Sequence, residues 1–202
     1  MNAAGKEQKI FHPEMSIEAI RRSVRKHHPR VADDGGLIRA SVLIPLVQSV
    51  ENLQVLLTVR TEDVEHHKGQ ISFPGGAVEP ADSDIYQTAL REAEEELGIS
   101  SADVDVIGRI DDLATPTGFV VSAVVGYIAS LPPLRPQPEE VSEYFLAPLA
   151  FFLDDANGYT RDYRREKDVV KVWFYEYEEY TVWGVTAAII RNFKQVLESG
   201  TS

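Results

Sequence analysis

The sequence contains no cysteine among its 202 residues. That absence excludes disulfide bonds, thiolate zinc sites and cysteine nucleophiles, and it fits a reducing compartment. No apolar run approaches the roughly 20 residues that span a bilayer, and the N-terminal residues lack the apolar segment of a secretory signal. Basic residues are also scarce, with 20 Lys and Arg against 32 Asp and Glu.

The resulting net charge of −12 disfavours a nucleic-acid-binding surface, because the phosphates of a duplex would be repelled overall. A small anionic substrate is still allowed, since a local cation can reverse the field within one cleft. We therefore expect a cytoplasmic protein with neither nucleic acid nor a membrane as its partner. With 44% hydrophobic residues, the chain can bury a full core.

The order of apolar and turn residues predicts an α/β (α+β) layered fold with a mixed β-sheet. Apolar, β-branched runs predict strands at 40–50, 53–60, 71–73, 104–110, 120–130 and 168–177, the first two forming a hairpin. Helices are predicted at 16–28, 83–97, 140–153 and 183–197. We expect residues 1–35 to form a helical extension and linker, and residues 36–202 to form the main domain.

The helix predicted at 83–97 carries four glutamates within five residues. Glu92 and Glu96 share one strip beside the apolar face, with Glu95 next to them and Glu94 on roughly the opposite flank. Like charges at i and i+4 destabilise a helix by about 0.2–0.5 kcal/mol. A divalent cation bound between the carboxylates would make their proximity favourable instead. Carboxylate oxygens favour Mg²⁺ or Mn²⁺. A plain solvated charged face is the competing interpretation.

The ends of this helix and the segment before it also make specific predictions. Ser83 or Asp82 is predicted to cap the helix, and Gly98 to end it. A Pro-Gly-Gly turn is expected just upstream, where the backbone of Gly75 and Gly76 can approach the same ion or a phosphate. This context favours a cation site over a solvated face.

The stretch from Gly76 to Ile99, which ends in REAEEELGI, resembles the Nudix box, G-x5-E-x7-R-E-U-x-E-E-x-G-U with U aliphatic. The second half matches closely. In the first half, Asp82 stands where Glu is usual, and eight residues rather than seven separate it from Arg91. This departure is similar to that of the coenzyme A pyrophosphatases of the Nudix hydrolase family.

That branch carries L-L-T-x-R-[SA]-x3-R-x3-G-x3-F-P-G-G before the box, and this chain reads LLTVRTEDVEHHKGQISFPGG over 56–76. The spacing is kept throughout, while Thr61 replaces Ser or Ala and Glu65 reverses the charge of an Arg. Segments at 116–119, 140–141 and 183–187 are also similar to the branch, so the resemblance covers roughly residues 38–197.

The resemblance implies a Nudix-type α/β/α sandwich and metal-dependent hydrolysis of coenzyme A or its derivatives to 3′,5′-ADP and 4′-phosphopantetheine. It implies metal ligation by Glu92, Glu95, Glu96 and the Gly76 carbonyl, with Mg²⁺ or Mn²⁺ as the cofactor. Arg91 is expected to orient the glutamates or to contact phosphate, and we favour orientation. These four charged residues, Arg91, Glu92, Glu95 and Glu96, are the predicted catalytic set.

Other roles stay open at this stage. Glu95 and the loop residues Glu139, Glu140 and Glu143 are all candidates for the general base. Arg60, Gly75 and Gly76 are predicted to bind substrate.

Three further basic residues, His66, His67 and Lys68, form either a cationic lip or an exposed turn. The aromatic residues Trp173, Phe174, Tyr175 and Tyr177 either stack adenine or pack in a sheet. ADP-ribose, dinucleotide polyphosphates or nucleotide sugars are alternative substrates, and a binding module without turnover is a further alternative. A homodimer is left open.

Overall fold

The computed structural model describes residues 16–61, 69–165 and 168–200. The α-helices are α1 (Ile17–Lys26), α2 (Ile85–Leu97), α3 (Leu149–Leu153) and α4 (Gly184–Gly200). The strands before residue 130 are β1 (Ile38–Gln48), β2 (Leu53–Arg60), β3 (Ile71–Ser72), β4 (Gly75–Ala77), β5 (Asp105–Arg109), β6 (Leu113–Ala114) and β7 (Phe119–Ile128). The later strands are β8 (Val141–Pro148), β9 (Gly158–Arg165), β10 (Asp168–Tyr177) and β11 (Tyr180–Trp183).

The larger sheet is mixed, as predicted. Its main path runs β3-β2-β1-β7-β5, while β4 pairs with β1, β6 with β7 and β8 with β2. Strands β1 and β7 are parallel over ten residue pairs, from Ile38 opposite Phe119 to Val47 opposite Ile128. The remaining pairings are antiparallel, including the predicted β1–β2 hairpin. A second, smaller sheet is antiparallel with the order β11-β10-β9.

Apolar side chains on both faces of the larger sheet produce a layered α/β/α arrangement. On one face, Leu43 of β1 lies in a cluster with Ala89 and Ala93 of α2. On the other face, Ile44 of β1 lies in a larger cluster that includes residues of α1, α4 and the second sheet, among them Phe193. Because consecutive strand residues point to opposite faces, one strand supplies both cores. Helix α2 is thereby fixed against β1 and β4.

Two predictions about local structure are wrong. Residues 141–148 form strand β8 rather than a helix, and only the following Leu149–Leu153 is helical. The strand pairs with β2 from Gln54 opposite Pro148 to Arg60 opposite Val141, so tertiary pairing overrides a weak local pattern. The expected Pro-Gly-Gly turn is also partly a strand, since Gly75–Ala77 pairs with β1.

The N-terminal helix packs on the main domain. Ser16 caps α1 by accepting a hydrogen bond from the Ala19 amide at 3.3 Å. Beyond the helix, Asp111 accepts hydrogen bonds from His27 Nε2 at 2.6 Å and from Arg30 Nε at 2.7 Å. The division into 1–35 and 36–202 stays a prediction. Among the described residues, no helix is both long and apolar enough to cross a membrane.

Candidate active site

Both ends of helix α2 are capped, and the caps fix the position of its glutamates. Its N-cap is Asp84, whose carboxylate accepts from the amides of Tyr86 and Gln87, both at 2.9 Å. The predicted caps, Ser83 and Asp82, are therefore wrong by one and two residues. Gly98 ends the helix in the left-handed conformation, with φ 72°, as predicted.

The faces of α2 divide as the helical periodicity predicts. Ala89, Ala93 and Leu97 are fully buried against the sheet. Glu94 and Glu95 are exposed, whereas Glu96 is buried with only 2% of its surface accessible. The glutamate run is therefore only partly a solvated face, because one of its carboxylates lies inside the protein.

Glu96 is a buried carboxylate that forms no hydrogen bond with the described residues. Both of its carboxylate oxygens are inaccessible, and no described residue is in hydrogen-bonding geometry with them. Arg60 Nη1 lies 3.9 Å from Oε1. Burial, together with the charges of Glu92 and Glu140, raises the pKa of Glu96 to about 8, while Arg60 and the backbone amide of Gly75 oppose the shift. A buried acid of this kind is unfavourable unless something else neutralises it.

Glu92 lies one helical turn earlier, directly over the glycine pair. Its side chain is 13% exposed, and Arg91 Nη1 donates to its Oε1 at 2.8 Å. Burial raises the pKa of Glu92, although Arg91 offsets part of that effect. A Cβ built on Gly76 would collide with the Glu92 carboxylate. Glycine at position 76 therefore leaves the space that this carboxylate occupies.

The other glycine, Gly75, is required by close backbone approach. A Cβ there would lie 2.5 Å from the carbonyl oxygen of Ser41 and 2.6 Å from the Cα of Val42, both on β1. The same residue pairs with Val42 in the sheet. The backbone of strand β4 therefore lies directly against β1, and its peptide groups lie beside Glu92 and Glu96.

Arg91 is held by Asp82, whose role the sequence left in doubt. Arg91 Nε donates to Asp82 Oδ1 and Nη2 donates to Oδ2, each at 3.0 Å. Asp82 also accepts from the Glu79 amide and the Thr88 hydroxyl, both at 2.9 Å. Its side chain is 1% exposed, and these donors, led by Arg91, hold the pKa of Asp82 well below its usual range.

The rest of the Arg91 guanidinium ties this anchor to the glutamates and to β4. Besides Glu92, Nη1 contacts Glu95 Oε2 at 2.9 Å, and Nη2 donates to the Ala77 carbonyl at 3.2 Å. Arg91 thus contacts both Glu92 and Glu95, and its orienting role stays a prediction. The two-point contact with Asp82 fixes the plane of the guanidinium, so that its remaining N–H groups point at Glu92 and Glu95.

Glu95 lies apart from the other two predicted ligands. Its side chain is 59% exposed and engaged with Arg91, whereas Glu92 and Glu96 face the glycine pair. Within 16–61, 69–165 and 168–200, no group of three or more His, Asp or Glu is close enough to hold a metal ion. The expected convergence of three carboxylates is therefore reduced to a pair.

The loop carboxylates differ in what they contact. Glu143 accepts a hydrogen bond from the Tyr180 hydroxyl at 2.9 Å. The backbone carbonyl of Glu139 accepts from the Thr61 hydroxyl at 2.9 Å, and that of Glu140 accepts from the Thr61 amide at 3.1 Å. The charge of Glu140 raises the pKa of both Glu92 and Glu96. Glu140 is therefore a loop acid whose charge acts on the pair.

A proline-rich segment over 131–138 places that loop, and sequence reasoning gave it no role. The amides of Arg135 and Gln137 donate to the carbonyls of Leu97 and Glu96, both at 2.8 Å. These carbonyls are among those that a helix leaves unpaired at its C-terminus. The segment therefore ties the Glu140 loop to the turn of α2 that carries Glu96.

The comparisons with known proteins decide the family. The family model described as NUDIX domain matches residues 37–166. The protein named Uncharacterized Nudix hydrolase NudL from Escherichia coli (strain SMS-3-5 / SECEC) is 43% identical over 154 residues, covering 76% of this chain and 80% of that protein. This chain belongs to the Nudix family. A NudL protein of Shigella boydii serotype 18 matches with the same identity and coverage.

The fold of this Nudix hydrolase agrees with a solved member. The MutT protein from Methanosarcina mazei Go1 superposes with a TM-score of 0.52 at 18% identity, covering 87% of this chain and 99% of that one. The mixed α+β fold is thus confirmed. Family membership also identifies the chain as a pyrophosphohydrolase, of a kind that generally uses divalent metal ions.

The donors in this Nudix site fit such a metal. Glu92 and Glu96 supply hard oxygen ligands, and Glu96 is an unpaired buried acid whose burial cost a cation would remove. The glycine pair leaves backbone within reach of the same space.

Of the predicted substrate contacts, Arg60 lies beside Glu96, with its side chain 26% exposed. Glu65, His66, His67 and Lys68 lie outside the described residues. Trp173, Phe174, Tyr175 and Tyr177 are all on β10 of the second sheet, where Tyr175 is fully buried in the core.

Proposed function

We propose that this Nudix pyrophosphohydrolase cleaves the pyrophosphate bond of coenzyme A or its derivatives, giving 3′,5′-ADP and 4′-phosphopantetheine or its acyl form. The observation that carries the proposal is the position of the branch signature. Arg60 from that signature lies 3.9 Å from Glu96, and its final Gly75-Gly76 forms the backbone beneath Glu92. Residues that match the coenzyme A signature therefore lie at the site, and this position supports the proposal.

Glu92 and Glu96 are proposed to hold Mg²⁺ or Mn²⁺, with the Gly76 carbonyl as a backbone ligand. Glu95 joins them as a further ligand only by leaving Arg91. When bound, the metal neutralises pyrophosphate oxygens and lowers the pKa of a water. The buried oxygens of Glu96, which have no hydrogen-bond partner among the described residues, support a cation at this site, because a bound cation keeps the carboxylate ionised.

Arg60 and Arg91 are proposed to act differently although both are arginines. Arg60 is partly exposed, and its one ion pair among the described residues is the 3.9 Å contact with Glu96, which suits its guanidinium to bind a substrate phosphate. Arg91 has its N–H groups committed to Asp82, Glu92, Glu95 and Ala77. We therefore assign Arg91 to positioning and Arg60 to the substrate.

Glu140 is the proposed general base. Its carboxylate accepts the proton of the attacking water, whose oxygen forms the new bond to phosphorus while the bridging P–O bond breaks. Glu143 is less suitable because Tyr180 already donates to it, and Glu95 is less suitable because it pairs with Arg91. The proposed enzyme is cytoplasmic and acts without nucleic acid or membrane.

Two alternatives compete with this proposal. The first is hydrolysis of the same linkage in another substrate, and the second is a binding module without catalytic turnover. ADP-ribose, dinucleotide polyphosphates and nucleotide sugars contain the same linkage but lack the pantetheine arm. A Nudix module without turnover is less supported, because Glu92 and Glu96 are both present, with Glu96 buried and Glu92 only 13% exposed.

A substrate panel tests this proposal. Purified protein with Mg²⁺ or Mn²⁺ is given coenzyme A, its disulfide and acyl forms, ADP-ribose and a dinucleotide polyphosphate, and products are identified by mass spectrometry. The highest kcat/KM is expected for a form of coenzyme A. A higher value for ADP-ribose would overturn the substrate assignment, and no cleavage of any diphosphate ester would overturn the enzyme assignment.

A further inference from the structure

The second sheet has apolar residues on both of its faces, although the described residues cover only one. The inner face carries Tyr175 and Val182, both fully buried in the larger core cluster with Phe152. Strand β10 reads DVVKVWFYEY, a nearly continuous apolar run rather than an alternating one. Runs of this kind are typical of strands that are covered on both sides.

The outer face is an aromatic ladder across all three strands. The rings of Tyr159 and Phe174 stack at 5.6 Å with an interplanar angle of 12°, and those of Phe174 and Trp183 at 5.8 Å with 6°. The Arg161 guanidinium lies 5.1 Å from the ring centres of both Tyr159 and Phe174. None of these rings belongs to either core cluster.

The apolar surface continues from this ladder towards the β9–β10 turn. Tyr163 lies opposite Val170 on the same face, and the two residues are 55% and 41% exposed. Exposed apolar residues that form one continuous surface, rather than single scattered ones, mark interaction sites. We call the surface formed by Tyr159, Tyr163, Val170, Phe174 and Trp183 the outer face.

The two ends of the outer face carry opposite charge. At the end near the β9–β10 turn, the described side chains include the basic residues Arg161, Arg164 and Lys171 and the acidic residue Asp162. At the other end, Glu176, Glu178 and Glu179 are exposed, and no Lys or Arg occurs from 172 to 190. A chain with a net charge of −12 thus concentrates positive charge at one end of an apolar surface and negative charge at the other.

We propose that the outer face binds the outer face of a second copy of this chain, with the strands of the two sheets running in opposite directions. A two-fold axis through the ladder then places the basic end of each copy against the acidic end of the other. The arrangement is isologous, so one pattern of charge satisfies both halves of the interface. The apolar ladders meet in the centre as two packed sheets.

The free edge of β9 favours this face-to-face contact over strand addition. Within the described residues, β9 pairs only with β10. Its residues include Arg161, Asp162 and Arg164, and charged side chains of this kind protect an edge from pairing with another strand. The apolar area lies on the face and not at the edge.

Sedimentation velocity from about 1 to 200 μM protein, the range in which weak interfaces are detected, tests the association. The wild type is expected to form a dimer that dissociates on dilution. Val170→Asp is expected to weaken the dimer at least about tenfold, because it places an unpaired charge in an apolar contact. Val50→Asp is the matched control, since Val50 is fully exposed at the distant β1–β2 turn, and its dimer should be unchanged.

Charge reversal tests the direction of the two copies. Arg161→Glu and Glu176→Lys should each weaken the dimer, and the double variant should restore it. Both residues lie on the same side of the sheet as the outer face, on opposite sides of the ladder, so the two-fold axis brings each close to the other in the second copy. Circular dichroism confirms that each variant is folded. A monomeric wild type at 200 μM, or a dimer equally stable in Val170→Asp, would overturn the interface. A double variant weaker than both single variants would overturn the antiparallel arrangement.

Discussion

Glu96 makes the stability of the metal-free protein depend on pH in an unusual direction. The folded protein raises the pKa of this buried carboxyl from 4.5 to about 8. Between these values the folded state binds the proton more tightly than the unfolded state does. Stability therefore falls as the pH rises through this window, which is the reverse of the effect of a salt-bridged carboxylate.

The magnitude follows from the two pKa values. Linkage gives a loss of about 2 kcal/mol in the free energy of unfolding between pH 6 and pH 8 from this one group. For a chain of this size, that corresponds to a fall of roughly 4–8 °C in the melting temperature. Glu96→Gln keeps the shape but cannot ionise, so the variant should lose this fall while the wild type shows it.

The assay is thermal unfolding in a chelator at several pH values between 6 and 8, followed by circular dichroism. Glu94→Gln is the matched control, because Glu94 lies on the same helix but is exposed. Its pH dependence should follow the wild type. The same slope in the wild type and in Glu96→Gln would refute the reasoning, because the buried carboxyl would then contribute nothing. Added Mn²⁺ should stabilise the wild type most at pH 8.

Three further predictions follow from the contacts of the site. Asp82→Asn should destabilise the protein by about 3 kcal/mol at pH 7, since Arg91 loses its buried counter-charge. Because the pKa of Asp82 is depressed, the difference in stability between wild type and variant should shrink below about pH 4. Urea unfolding at several pH values measures this difference. Gly76→Ala should lower kcat at least about tenfold with the fold retained, because the new Cβ displaces Glu92. Glu140→Gln should lower kcat by about 10²–10⁴-fold with Mn²⁺ affinity unchanged in calorimetry, and a full loss of that affinity would instead make Glu140 a ligand.

Periodicity was enough to predict the layers and the buried side of α2. Ala89, Ala93 and Leu97 are at helical spacing, and they are the residues that pack on the sheet. The β1–β2 hairpin was predicted because both strands are apolar runs joined by a short polar turn. In each case, a local pattern and the tertiary fold demand the same structure.

The wrong predictions share a cause, because each depended on a partner distant in sequence. Residues 141–148 form a strand because β2 pairs with them, and nothing local to Glu143 or Tyr144 reveals that pairing. The capping role went to Asp84 because Asp82 is used by Arg91, nine residues away. The extra residue between Asp82 and Arg91 is visible in the sequence. Only the folded loop shows that the aspartate, one methylene shorter than the usual glutamate, still reaches the arginine.

The glutamate cluster shows the same limit. A helical wheel places Glu95 beside Glu92 and Glu96, yet cannot show that Arg91 draws Glu95 out to the surface. Nor can it show that the segment over 131–138 binds the end of the helix and brings Glu140 to the pair. Hydrogen bonds from the backbone amides of Arg135 and Gln137 do not depend on the side chains at these positions, so the sequence cannot predict them.

The most direct test of the account is to titrate Mn²⁺ into the metal-free wild type and Glu96→Gln, with bound Mn²⁺ measured by electron paramagnetic resonance and coenzyme A cleavage in the same samples. The wild type should bind Mn²⁺ and release 3′,5′-ADP and 4′-phosphopantetheine in proportion to the bound ion. Glu96→Gln should bind at least about tenfold more weakly and lose orders of magnitude in kcat. Equal binding and cleavage by the two proteins, or cleavage by the wild type in excess chelator, would contradict the account.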